Sequence, residues 1–165
     1  GGVVSAPRAV SITSSNVSGC SAGEWGGVAS AYENSGAVSI TSSDVSGCSA
    51  KYDGGVVRAY KSGAVSITSS DVSSCSANYG GVVYAYENSG AVSITSSDVS
   101  GCSAKYDGGV VRAYKSGAVS ITSSDVSSCS AYNGGATLTW KGNWPAGYGG
   151  VVHAYGAGDV EIVDS

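Results

Sequence analysis

The chain repeats itself at a nearly fixed period. Ser-Ile-Thr begins at Ser11, Ser39, Ser66, Ser93 and Ser120, one step of 28 residues followed by three of 27. Gly-Gly pairs start at Gly1, Gly26, Gly54, Gly80, Gly108 and Gly134, and cysteine recurs at Cys20, Cys48, Cys75, Cys102 and Cys129. A period of this size marks a solenoid, whose repeats pack only on their neighbours. A longer unit lies above it: Ala31–Ala77 recurs unchanged as Ala85–Ala131, a duplicated two-coil block 54 residues long.

One coil, read from Gly54, runs GGVVRAY, KSGAVSIT, SSDVSSCSA, NY. Three segments alternate apolar with small polar residues, and Gly, Ser, Asn or Asp bounds each one. Alternation over four to six residues is the pattern of a strand, and the bounding residues are turn formers. Helical spacing is absent. The expected fold is all-β: a parallel β-solenoid, specifically a right-handed β-helix with three short strands per coil of about 27 residues and about 5.5 coils. Alternation points Val57, Ala59, Val65, Ile67, Val72, Cys75 and Ala77 inward and Arg58, Tyr60, Ser66 and Thr68 outward. Composition agrees with a thin cross-section. With 26 Gly and no Phe or Met, the interior is left to Val, Ile, Ala and Cys.

Residues 1–165 read as a single array, with coils starting near residues 1, 26, 54, 80 and 108. An insertion at 136–148, carrying Trp140 and Trp144, precedes the last partial coil. Neither end shows a capping segment, so a piece of a longer protein, or ends paired with other chains, is expected. The first residues lack the basic start and long apolar stretch of a signal peptide. No apolar run is long enough to span a membrane. Only 12% of residues are charged and the net charge is −4, which argues against nucleic acid as a partner because phosphate neutralisation needs clustered Lys and Arg. The expected partners are the chain itself or its neighbours end to end, and glycans.

The coil resembles the repeat of polymorphic outer membrane proteins, whose hallmarks are a Gly-Gly-Ala-Ile-type tetrapeptide and a Phe-x-x-Asn motif. Gly54-Gly55-Val56-Val57 and Gly108-Gly109-Val110-Val111 stand for the first. Val45-Ser46-Gly47-Cys48 and Val72-Ser73-Ser74-Cys75 stand for the second, with Val for Phe and Cys for Asn. The resemblance covers nearly the whole chain outside the insertion. It implies a right-handed β-helix exposed at a cell surface as a passenger or adhesin.

Several columns of like residues carry candidate chemistry. The cysteines form an inward column, read as buried free thiols acting as small hydrophobes. Asp44, Asp71, Asp98 and Asp125, with Asn16 in the first coil, form another. Carboxylates about 4.8 Å apart repel by roughly 1 kcal/mol, which a bound Ca²⁺ would relieve. The alternative is that each Asp accepts backbone N–H groups in its own Ser-Ser-Asp turn, and this turn role is the favoured one. No other metal and no cofactor is expected. Asn16-Val17-Ser18 is also an N-glycosylation sequon.

Tyr32, Tyr60, Tyr86 and Tyr114 form an outward ladder, readable as mutual stacking or as a sugar-binding stripe. The adjoining column Glu33, Lys61, Glu87, Lys115 alternates in sign, as register-setting cross-strand pairs do. Ser39/Thr41, Ser66/Thr68, Ser93/Thr95 and Ser120/Thr122 make flat hydroxyl columns that resemble the Thr-x-Thr arrays of ice-binding solenoids. Trp140 and Trp144 in the insertion are candidates for a unique contact. No catalytic residue stands out, because the surface repeats with little variation and His153 has no evident Ser or Cys partner. The expected function is a non-enzymatic extracellular or cell-surface stalk, filament or adhesive surface. The alternative is an ice- or carbohydrate-binding solenoid using the Ser-x-Thr or Tyr face, and a polysaccharide-active enzyme ranks third.

Overall fold

The structure, a computed structural model, describes residues 2–6, 8–132 and 150–163. The insertion at 136–148, with Trp140 and Trp144, lies outside them. Among the described residues there is no helix, and none is therefore long and apolar enough to cross a membrane. Every strand pairs in parallel with its counterpart one coil away, and the coils stack into a parallel β-solenoid.

Each coil carries four strands, not three. In the coil from Gly54 they are Val57–Tyr60, Val65–Thr68, Asp71–Ser73 and Ser76–Tyr79. They belong to two six-stranded and two five-stranded sheets, here called the Tyr, Ser-Thr, Asp and Ser-Ala sheets. The third segment foreseen in the sequence is broken at Ser74, whose φ of 55° turns the chain between Asp71–Ser73 and Ser76–Tyr79. A single αL residue bends an extended chain sharply, and alternation within so short a segment gives no warning of it. The other bends follow the same rule, at Lys61 (φ 46°), Ser69 (φ 49°) and Gly80 (φ 62°).

The Gly-Gly corner is the one that demands its residue type. The first glycine has positive φ, as at Gly54 (66°) and Gly108 (67°). The second has no room for a side chain, since a Cβ on Gly55 would run into the Gly81 carbonyl of the next coil. Glycine meets both requirements at once.

The interior is one continuous apolar column. Val57, Ala59, Val65, Ile67, Val72 and Cys75 are fully buried or nearly so, and their equivalents repeat in the neighbouring coils. In-register pairing puts like on like, as in Val65, Ile67 and Thr68 against Val92, Ile94 and Thr95. Identical small side chains thus form each layer of the core.

Candidate functional site

The Gly-Gly corner folds the residue preceding it back beside the outer face of the Tyr sheet. Trp25, Asp53 and Tyr79 bridge one to the next along this flank, and Tyr79 pairs with Asp107. The outward column they adjoin is Ser30, Arg58, Tyr84, Arg112 and His153. Coils therefore alternate. Asp53 and Arg58, and Asp107 and Arg112, flank a coil with Tyr79 and Tyr84 in the same places, and the first coil sets Trp25 beside Ser30.

The two arginines use this alternation in the same way. Arg58 Nε lies 3.5 Å from Asp53 Oδ2, and its guanidinium sits 4.7 Å from the centre of the Trp25 ring and 5.2 Å from that of Tyr60. Arg112 Nε lies 3.5 Å from Asp107 Oδ2, with its guanidinium 4.6 Å from the Tyr79 ring. Arg112 Nη1 also donates to the Tyr84 hydroxyl at 2.7 Å. Each guanidinium is thus held by the carboxylate just before its own Gly-Gly corner and by the ring in the same place one coil earlier. Cation–π contacts of this kind are worth about 0.5–2 kcal/mol, more as they lose water. Arg58 points outward as its place in the strand requires, yet it is only 8% exposed because Trp25 and the tyrosines cover it. Burial raises the Asp53 carboxyl above its ordinary value, against the pull of Arg58 and Arg112. Burial likewise pushes the Tyr84 phenol up to about 12.

His153 takes the next place in the column. Its Nδ1 lies 3.3 Å from Asp107 Oδ1, so Asp107 faces both His153 and Arg112. The sequence places His153 in this column but not Asp107 beside it, because Asp107 lies just before the Gly-Gly corner of the coil that pairs with His153. The available signal was the Tyr-Asp-Gly-Gly that recurs at Tyr52 and Tyr106.

Beside the arginines runs the tyrosine ladder. Tyr32, Tyr60, Tyr86, Tyr114 and Tyr155 stack with ring centres 5.0, 5.5, 5.2 and 5.3 Å apart. Tyr60 donates its hydroxyl to Glu87 Oε2 at 3.3 Å, and Lys61 Nζ lies 3.7 Å from the same oxygen. The alternating charge column thus contains the Lys61–Glu87 pair, an exposed contact worth well under about 1 kcal/mol.

On the Ser-Thr face the two hydroxyls of each strand turn toward each other. Ser39 and Thr41 are 3.3 Å apart, Ser66 and Thr68 3.2 Å, Ser93 and Thr95 3.2 Å, and Ser120 and Thr122 3.0 Å. Residues two apart on a strand are separated by about 6.6 Å, so the hydroxyls have closed half that gap to bond one another.

Asp44, Asp71, Asp98 and Asp125 stand in register on the Asp sheet with exposed side chains, and Asn16 continues the column. The expected turn role belongs to a different residue. The second serine of each Ser-Ser-Asp turns inward and forms a ladder: the Ser43 N–H donates to Ser70 Oγ at 3.1 Å, and the Ser70 N–H to Ser97 Oγ at 3.2 Å. Ser70 Oγ in turn donates to the Thr68 carbonyl at 2.8 Å. No hydrogen bond to an Asp side chain of this column occurs among the described residues. The serine wins because it follows the αL residue and already points into the corner. Also among the described residues, no three His, Cys, Asp or Glu side chains group as a metal site.

The cysteines repeat the serine arrangement one corner later. All five are free; the Cys75 N–H donates to Cys102 Sγ at 3.5 Å, and Cys75 Sγ–H to the Ser73 carbonyl at 3.2 Å. Hydrogen bonding to Cys75 together with burial pushes the Cys48 thiol up, so it stays protonated.

These features define a parallel β-solenoid with one decorated face, on which a guanidinium–aromatic unit recurs every two coils. Compared with protein-family models, curated proteins and solved structures, the chain has no match.

Proposed function

We propose that the chain is a structural or adhesive segment of an extracellular or cell-surface array. The observation that carries this reading is that three repeated surface columns are engaged with one another along the stack. Hydroxyls pair within strands, tyrosines stack on tyrosines, and Arg58 and Arg112 are held by carboxylates and rings. Such a surface stiffens a rod. The in-register stack and the resemblance of the coil to a surface-protein repeat support the same reading.

The test is immuno-electron microscopy of the native source with an antibody to this chain. Rod-like density outside the cell envelope is expected. Labelling confined to the cell interior would refute the proposal.

A second reading, carbohydrate binding by the Tyr face, is favoured by Trp25 and Tyr32, which remain 40% and 51% exposed beside Arg58. Retention on a glycan array that is lost in Trp25→Ala would support it.

A further inference from the structure

We propose that the Tyr32–Tyr60 step of the ladder is an oxidative cross-linking site, where a peroxide-driven oxidation joins neighbouring coils through a carbon–carbon bond. This holds whether or not the chain is extracellular, because it follows from the geometry of the ladder.

Three observations select this step. Its ring centres are 5.0 Å apart, closer than those of the other steps at 5.5, 5.2 and 5.3 Å. Tyr32 is 51% exposed, so an oxidant reaches it; Tyr155 at the other end is 61% exposed, but its step to Tyr114 is longer and neither hydroxyl of that step bonds a carboxylate among the described residues. The Tyr60 hydroxyl donates to Glu87 Oε2 at 3.3 Å, and that carboxylate can take the phenolic proton as the electron leaves. Tyr32 and Tyr60 are already in-register partners on hydrogen-bonded strands, so the two rings start side by side. Rotation about χ2, a broad torsion in tyrosine, turns the stacked rings edge to edge, and a change in χ1 that tilts one ring toward the other brings the ortho carbons together.

The chemistry balances with a peroxide and an external haem peroxidase. Each tyrosine gives up one electron and one proton. The two electrons and two protons reduce one H₂O₂ to two waters. The two phenoxyl radicals couple at ring carbons ortho to oxygen, and each displaced ring hydrogen moves to its oxygen to restore the phenol. The product has two hydrogens fewer than the pair of tyrosines. The core thiols are no rival staple, since Cys48, Cys75 and Cys102 are free and fully buried.

The whole chain is treated with a haem peroxidase and hydrogen peroxide at two protein concentrations tenfold apart, then digested with trypsin and weighed. Tyr32 is the sole tyrosine between Arg8 and Lys51, whereas Ala59–Lys61 and Ala113–Lys115 are the same tripeptide. Tyr60→Phe therefore makes the assignment. The expected result is the Tyr32 peptide joined to Ala-Tyr-Lys with loss of two hydrogens. Its yield should not depend on concentration, and it should vanish in Tyr60→Phe with circular dichroism unchanged. Glu87→Gln should slow coupling several-fold. Coupling of Tyr32 only between chains, with yield rising with concentration as for the 89%-exposed Tyr132, would overturn the proposal, as would a link surviving in Tyr60→Phe.

Discussion

Arg112 reaches across a coil boundary to Tyr84, donating from Nη1 to the phenolic oxygen at 2.7 Å while its Nε faces Asp107, just before the Gly108-Gly109 corner, at 3.5 Å. One guanidinium thereby ties two coils together. Tyr84→Phe removes the acceptor and should cost about 1.5–3 kcal/mol, in the range for a hydrogen bond to a charged group. Arg112→Ala should cost more, about 3 kcal/mol, because it leaves Asp107 poorly compensated. Urea unfolding of both variants checks the order, and an Arg112→Ala cost below that of Tyr84→Phe would contradict it.

The phenol of Tyr84 also sets an alkaline limit. Its value in the fold, about 12, lies above the ordinary tyrosine value of about 10. The native state therefore holds this proton more tightly than the unfolded chain. The resulting stability is fully present below the unfolded value and is lost as pH rises through that window. A difference titration of phenolate absorbance against Tyr84→Phe should show one group ionising near 12. Asp53 acts with the same sign at the acid end. Its carboxyl is raised from 3.8, so its contribution falls as pH climbs above that value, and Asp53→Asn should flatten this part of the stability profile.

Two glycines of positive or tight geometry should respond very differently to alanine. At Gly55 a Cβ meets the Gly81 carbonyl of the next coil, and Gly55→Ala should prevent the stack from closing. At Gly47 (φ 60°) the nearest atom to a Cβ is 3.9 Å away, and Ser74 already occupies the equivalent place with φ 55°. Gly47→Ala should cost only about 1–2 kcal/mol. Thermal melts of the two variants decide the matter.

Ser70 and Asp71 are neighbours with opposite expected sensitivities. Ser70→Ala leaves the buried Ser43 N–H without its acceptor and should cost about 1–3 kcal/mol. Asp71→Asn alters an exposed side chain and should stay within about 0.5 kcal/mol. A larger loss at Asp71 would mean that the aspartate, and not the serine, holds the corner.

These contrasts mark what was legible in the sequence. Periodicity and alternation foresaw the solenoid and the inward set Val57, Ala59, Val65, Ile67, Val72, Cys75 and Ala77, all of which are buried. Alternation reports the face of a residue but not what lies above it. Hence Arg58 was rightly placed outside, but its burial beneath Trp25 was hidden. The fourth strand was hidden too, because one αL residue at Ser74 leaves the composition of its segment unchanged. The Ser70 ladder escaped because Asp71, beside it in sequence, is the stronger acceptor and drew the turn role. The duplicated two-coil block was the visible trace of the Arg–aromatic unit, which a single coil cannot build.

Successive coils stack in parallel and in register, and a molecular ruler can measure that stack coil by coil. Spin labels on ketone-bearing residues, which leave the native thiols untouched, would be placed in pairs at Thr41 with Thr68, Thr95 or Thr122. These positions occupy one column of the Ser-Thr sheet. Dipolar electron paramagnetic resonance should give separations that grow by one interstrand step, about 4.8 Å, per coil. Separations that do not rise steadily in that order would contradict the stack.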